Sequence, residues 1–307
     1  MFAPQASKQG KRAKPPNLFI PTADMTAQRR RRMAQQDVVL TKLAEGFQFC
    51  EGPAYERSTG YLYVVNCQSD NIHRISPDGK VEVFAKAPGS GNGSTFAKDG
   101  TLWVCDHKRR AIVRFDRRGR AEIIAEECDG KPFMGPNDLC FDSKGNLYFT
   151  DPAGSWDRPI GCVYRRNADG KVQKLAEGLQ FPNGIALSRD EKWLYVAESP
   201  RNRVLRWQIR SDGTLGEMEV FVNLPPPGGP DGMRFDSRGN LWIAQFGSGK
   251  VLVVSPDGKV WRSYPAGGQN PTNVEFGGRD NRTLYITETE TNAVYTLRAP
   301  YPGFKRW

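Results

Sequence analysis

Six oxygen-bearing side chains recur at one position of a repeated pattern: Glu51, Asn92, Asn137, Asn183, Asp231 and Thr272. Each stands four residues before the apolar or aromatic anchor of a strand-like run, at Tyr55, Phe96, Phe141, Leu187, Phe235 and Phe276. Four lie in small-residue phrases, Glu51-Gly-Pro, Pro136-Asn-Asp, Pro182-Asn-Gly and Pro230-Asp-Gly, where Gly and Pro fix a backbone that must bring side chains together at close quarters. Six polar groups that converge could form a hydrogen-bonded plug around buried water. Two carboxylates argue for a cation instead, because in a low-dielectric site they repel and are driven to protonate unless positive charge lies between them. Glu51 and Asp231 balance a divalent ion, with Asn amides as neutral oxygen donors. An all-oxygen set without His or Cys predicts Ca²⁺ first, with Mg²⁺, Mn²⁺ or Zn²⁺ as substitutes.

Convergence needs a scaffold, and internal repetition supplies it. The phrases Gly60-Tyr-Leu-Tyr-Val-Val65, Gly100-Thr-Leu-Trp-Val-Cys105, Gly145-Asn-Leu-Tyr-Phe-Thr150, Lys192-Trp-Leu-Tyr-Val-Ala197, Gly239-Asn-Leu-Trp-Ile-Ala244 and Arg282-Thr-Leu-Tyr-Ile-Thr287 are copies of one unit. Their leucines, from Leu62 to Leu284, are separated by 40, 45, 47, 47 and 43 residues. That is the length of a four-stranded propeller blade. A second β-like run follows each copy, often closed by Pro-Asp-Gly as at Pro77–Gly79 and Pro256–Gly258, and a third run completes the unit. The sixth unit lacks its third run, and Val38 to Leu43 is the missing strand. The expectation is an all-β, six-bladed β-propeller of four-stranded blades, the last closed by the amino-terminal strand, which removes both open sheet edges.

These motifs, with Tyr148-Phe-Thr-Asp-Pro152, Phe181-Pro-Asn-Gly184, Pro230-Asp-Gly-Met233 and Thr272-Asn-Val-Glu-Phe-Gly-Gly278, resemble the senescence-marker-protein/gluconolactonase/luciferin-regenerating-enzyme family over residues 38 to 298. The resemblance implies a calcium-dependent lactonase, with Glu51, Asn137, Asn183 and Asp231 as metal ligands. In that reading the metal activates the carbonyl of a small-molecule lactone or ester as a Lewis acid, and Asp231 is the catalytic base or nucleophile. Asn92, Asn137, His107, Trp156 and Thr272 are the expected substrate contacts, and Asp138 the carboxylate that orients Asn137. The sugar-lactone branch often carries an Arg two residues before the Asn of Pro-Asn-Asp. Here that residue is Gly135, a departure that argues against aldonolactone recognition, and an apolar rim of Phe47, Phe49, Phe133, Met134 and Phe246 would suit a less polar lactone or an aryl ester. Diisopropyl-fluorophosphatase-like organophosphate hydrolysis and a non-catalytic calcium-binding propeller are the competing readings.

The rest of the chain narrows the choice. The formal charge is +10, but residues 1–37 hold eight Lys/Arg against Asp24 and Asp37 and so contribute +6. The remaining +4 forms no basic stripe that would track nucleic acid, so residues 1–37 read as a basic arm with a short helix over 22–36, and 38–307 as the propeller. No apolar run reaches membrane-spanning length, and no apolar segment follows the arginines as in a secretory signal, so a cytoplasmic location is expected. The six cysteines form no C-x-x-C pair. With His73 and His107 as the two histidines, no Ser-His-Asp arrangement is compelling.

Overall fold

The computed structural model describes residues 38–305. The chain divides into two units, Met1–Asp37 and Val38–Trp307; the expected basic arm and the short helix expected over 22–36 lie outside the described residues. Within the second unit six antiparallel four-stranded sheets follow one another as blades. Blade 1 runs Cys50–Glu56, Tyr61–Asn66, Asn71–Ile75 and Val81–Lys86; its innermost strand is first in sequence and its outermost last. Blades 2 to 5 repeat that order, beginning at Gly91, Leu139, Pro182 and Gly229. Blade 6 takes its three inner strands from Pro271–Gly277, Thr283–Glu288 and Ala293–Arg298, and its outer strand is Thr41–Glu45, paired with the last of these. The amino-terminal strand therefore closes the circle as the sequence predicts, three residues later than Val38. The structure adds a small hairpin, Glu127–Cys128 with Lys131–Pro132, that the repeat did not announce. No helix among the described residues is long and apolar enough to cross a membrane.

The repeated phrase is the second strand of each blade, and its residues are buried on both faces because it is sandwiched between neighbouring blades. The six anchoring leucines are all fully buried. Apolar clusters lie at the junctions between blades: Tyr63 and Val65 of blade 1 pack with Leu102 and Val104 of blade 2, and the pattern continues around the circle. The closing seam is packed like the others, with Tyr285 and Val294 against Cys50 and Leu62, and Tyr55 stacked on Tyr285 at 5.6 Å. Outer strands, by contrast, expose residues such as Ala121 and Glu122. This division of burial explains why the second strand carries the legible signature.

The residue four after each anchoring leucine, at or next to the end of the second strand, is polar and buried: Asn66, Asp106, Asp151, Glu198, Gln245 and Glu288. Each binds the loop that leads into its own blade. The Gln48 amide donates to Asn66 Oδ1 at 2.7 Å, the Ser90 amide to Asp106 Oδ1 at 2.6 Å, and the Gly135 amide to Asp151 Oδ1 at 2.6 Å. Gln180 and Asn270 amides donate to Glu198 and Glu288, both at 2.8 Å, and Gln245 Nε2 donates to Pro225 O at 2.6 Å. Five loop amides and one loop carbonyl, the Ser90 and Gly135 amides buried among them, thus find side-chain partners, and the loops at this face are tied to the second strands.

Candidate active site at the propeller axis

What turns the ring residues toward the axis is a register break in the inner strands. Pairing with the second strand slips between Glu51 and Ala54, Gly91 and Ser94, Pro182 and Ile185, Pro230 and Met233, and Pro271 and Asn273. In blade 3 the pairing begins only at Leu139, after Asn137. A bulge re-aims a side chain out of the sheet, which is why such irregularities gather at sites.

The residue after each ring position explains how tightly the six approach. It is Gly52, Gly93, Gly184 and Gly232 in four blades, and Asp138 and Asn273 in the other two. A Cβ on Gly52 (φ +53°) would fall on the Asn92 carbonyl, one on Gly93 within 2.6 Å of the Asn137 carbonyl, and one on Gly184 on the Asp231 carbonyl. A Cβ on Gly232 would strike the Asn273 side chain. Each glycine lets the next blade's strand pass. The remaining junctions are hydrogen bonds: Thr150 Oγ1 donates to Asn183 O at 2.7 Å, and Thr272 Oγ1 to Cys50 O at 2.9 Å.

Glu51, Asn137, Asn183, Asp231 and Thr272 are all buried, and Asn92 is half-buried. Glu51 Oε2 accepts the Gly52 amide at 2.7 Å and Asn273 Nδ2 at 3.2 Å. Asn183 Nδ2 donates to Ser199 Oγ at 3.2 Å, and Ser199 Oγ donates to Pro230 O at 2.6 Å. That relay ties the amide nitrogen down and leaves Asn183 Oδ1 buried with no partner, as is Asn92 Oδ1. Burial pushes the Glu51 carboxyl up, and the Asp138 charge adds to it. Asp231 is pushed well above the carboxylate range, first by burial and then by Glu51 and Asp138. Two buried carboxylates, both pushed toward protonation and one of them by the other, beside amide oxygens with no donor, fit a hard divalent cation. Glu51, Asn137, Asn183 and Asp231 are the residues that could hold it. Among the described residues no three His, Cys, Asp or Glu side chains form a group that could hold a metal ion, so a site here rests on two carboxylates and the amide oxygens.

The other sequence candidates fall in different places. Thr272 is fully buried, its hydroxyl engaged with Cys50 O and, at 2.7 Å, with Thr287 Oγ1. Asp138 accepts from the Leu139 amide at 2.9 Å and the Ile185 amide at 3.3 Å and lies 3.7 Å from Arg234 Nη1, so one hydrogen bond stays in its own strand, the other goes to the next blade, and neither goes to the Asn137 amide. His107 is exposed, and Gly135 leaves open the space beside its imidazole: a Cβ there would lie 2.9 Å from Nδ1. Trp156 is 53% exposed and meets Phe181 edge-on at 5.0 Å. Burial and neighbouring carboxylates raise the thiols of Cys67 and Cys105 well above their usual range, so neither is a ready thiolate nucleophile.

Three residues at the axis escaped the sequence reading. Asn273 and Ser199 hold Glu51 and Asn183. Arg234 is inserted between Asp138 and Glu275, donating from Nε to Glu275 Oε2 at 3.1 Å. The available signal was positional: Asn273 follows a ring residue directly, and Arg234 stands three residues after one.

Residues 49–290 match the SMP-30/gluconolactonase/LRE-like family. The chain belongs to that family. Among its relatives, a gluconolactonase from Zymomonas mobilis is 30% identical over 80% of this chain and 77% of its own. Diisopropyl-fluorophosphatase from the squid Loligo vulgaris is also 30% identical, over 88% of this chain and 95% of its own. The solved structure of a gluconolactonase from Xanthomonas campestris superposes with a TM-score of 0.78 at 30% identity, covering 86% of this chain and 91% of that one. The family match spans every ring residue, from Glu51 in blade 1 to Thr272 in blade 6.

Proposed function

We propose that this family member is a metal-dependent hydrolase that opens a lactone at the axial ring, with Glu51, Asn137, Asn183 and Asp231 as ligands of one divalent ion, Ca²⁺ by preference. The observation that carries the reading is the buried Glu51 and Asp231 pair, each pushed toward protonation, facing the orphaned Asn183 Oδ1. Lactonase relatives at about this level of identity support the substrate class.

A divalent ion held there supplies Lewis acidity toward the ester carbonyl. The chain's own part is positioning and proton transfer. Asp231 accepts the proton of the attacking water at its carboxylate. Ser199 fixes the Asn183 amide and Asn273 fixes Glu51, so that the ring is organised before substrate arrives. The half-buried Asn92, with its unpartnered Oδ1, and the exposed His107 are left to contact the substrate. Phe49, Trp156 and Phe246, each at least 36% exposed, border the loops of this face, and Gly135 places no cation beside His107. That composition suits an apolar lactone or aryl ester better than a polyhydroxylated one.

The decisive test is acid release from a panel of aldonolactones, aliphatic lactones and aryl esters, before and after chelation. Chelator-sensitive turnover of at least one lactone, lost in Asp231→Asn with an unchanged melting temperature, is the expected result. Turnover that survives chelation or Asp231→Asn overturns it. Diisopropyl fluorophosphate belongs in the same panel, given the squid relative, and silence across all substrates would leave a binding propeller.

A further inference from the structure

The six anchors used to locate the ring, Tyr55, Phe96, Phe141, Leu187, Phe235 and Phe276, meet again at the far end of the inner strands. There they line a cavity of about 360 Å³ to which no ring residue contributes. Arg234 and Glu275 also line it, as a mutually paired ion couple three residues beyond the ring. The walls are therefore aromatic, with Phe304 adding a further ring. A concave chamber of this size, with aromatic side chains and a few placed charges in a lining of mixed polarity, is a form that small-molecule sites take.

Its charge is lopsided. Arg57, Lys98 and Arg117 are exposed lining residues, and none of the three forms an ion pair among the described residues. Arg57 donates to the neutral Asn281 Oδ1 at 2.6 Å and Arg117 to the Asp99 carbonyl at 3.2 Å. The two lining carboxylates are engaged elsewhere: Glu56 accepts from Thr59 Oγ1 at 2.6 Å and from Tyr63, and Glu275 accepts from Arg234. Three cations outside any ion pair among the described residues, around a chamber with aromatic walls, select an amphipathic anion: rings seat by offset or edge contacts, and the charged group stays where water and cations meet it.

We propose that this cavity is a second binding site, distinct from the ring, for a small aromatic monoanion such as an aryl carboxylate or sulfonate, its rings among the anchors and its charge toward Arg57, Lys98 and Arg117. The probe is anilinonaphthalene sulfonate, whose fluorescence reports transfer into an apolar site, with benzoate as competitor. One saturable site per chain is expected, displaced by benzoate, retained in Asp231→Asn, and weakened at least about tenfold when Lys98→Glu and Arg117→Glu replace attraction by repulsion. Both side chains are exposed, so the double variant should keep its melting temperature; Lys98→Gln with Arg117→Gln is the milder pair if it does not. Absence of saturable binding, or binding undiminished in both double variants, overturns the proposal. Loss of the probe in Asp231→Asn overturns it too, because the probe is then at the ring.

Discussion

Ser199→Ala tests whether the ring works as ligands held in advance. The hydroxyl accepts from Asn183 Nδ2 and donates to Pro230 O in a buried site. Its removal leaves two buried polar groups without that partner. A buried group stripped of its partner costs about 1–3 kcal/mol, so a loss of about 2–4 kcal/mol in stability is expected, allowing for partial relaxation. The effect on the metal is separable. With its nitrogen released, the Asn183 amide is free to rotate, and Oδ1 no longer points inward by default. Loss of a residue that orients a ligand typically weakens metal binding about 10–100-fold. Calcium titration followed by isothermal calorimetry, with thermal melts in chelator, reads the two quantities apart. Ser199→Thr, which keeps the hydroxyl, should recover most of the affinity. A calcium affinity equal to wild type in Ser199→Ala, with the expected drop in melting temperature, would refute the link between this relay and the metal.

Other expectations follow from single contacts. Gly184→Ala places a Cβ on the Asp231 carbonyl, so it should abolish calcium binding in a protein that still shows β-sheet circular dichroism; preserved binding would mean that the inner strands are not so closely apposed. Leu147→Ala removes a fully buried anchor and should cost about 2–5 kcal/mol in denaturant unfolding, with a smaller loss indicating collapse of the site. Cys105 is fully buried and its thiol is raised by burial, with the Asp138, Asp151 and Asp106 charges adding to it. A raised folded value means that its contribution is complete below the unfolded thiol's value and is lost as pH rises toward the folded one. Above about pH 8.5 that loss is about 1.4 kcal/mol per pH unit, and Cys105→Ala should flatten the alkaline fall of the unfolding free energy; an unchanged slope refutes the assignment.

The fold was legible because the second strand of every blade is buried on both sides and can vary little: Leu62 and its five counterparts write the same phrase each time. The ring positions were legible by register from the anchors. The contacts around them were not. Nothing in the spacing says that the inner strands slip after Glu51 or Pro230, since a bulge is a pairing between strands and not a property of one. Thr272 illustrates the consequence: it occupies the repeat position of a ring residue, yet its hydroxyl is spent on the seam between blades 6 and 1. Asn66, Asp106, Asp151, Glu198, Gln245 and Glu288 share one place in the repeat, but their chemistry differs, so a search for identical letters passes over them. The common property is reach: each needs only one polar atom directed at an adjacent loop.

The stacking of charge along the axis gives the ring its polarity. Glu51 and Asp231 lie at one level, and Asp138, Arg234 and Glu275 form a group beyond it. Arg234 is one cation for two carboxylates, and it is bonded to Glu275 while only near Asp138. Its charge lowers the cost of ionising Asp138 and, more weakly, Glu51. Asp138 nonetheless remains raised, and it repels both ring acids. The uncompensated negative charge is thus concentrated toward the ring. On the proposed reading a mobile cation is drawn to that level, whereas the Arg234 and Glu275 level already holds a fixed one. On that reading, preference of the ion for the ring comes from the whole column of charges, and replacing Arg234 by a neutral side chain should change the calcium stoichiometry or affinity read by calorimetry although Arg234 is not among the proposed ligands.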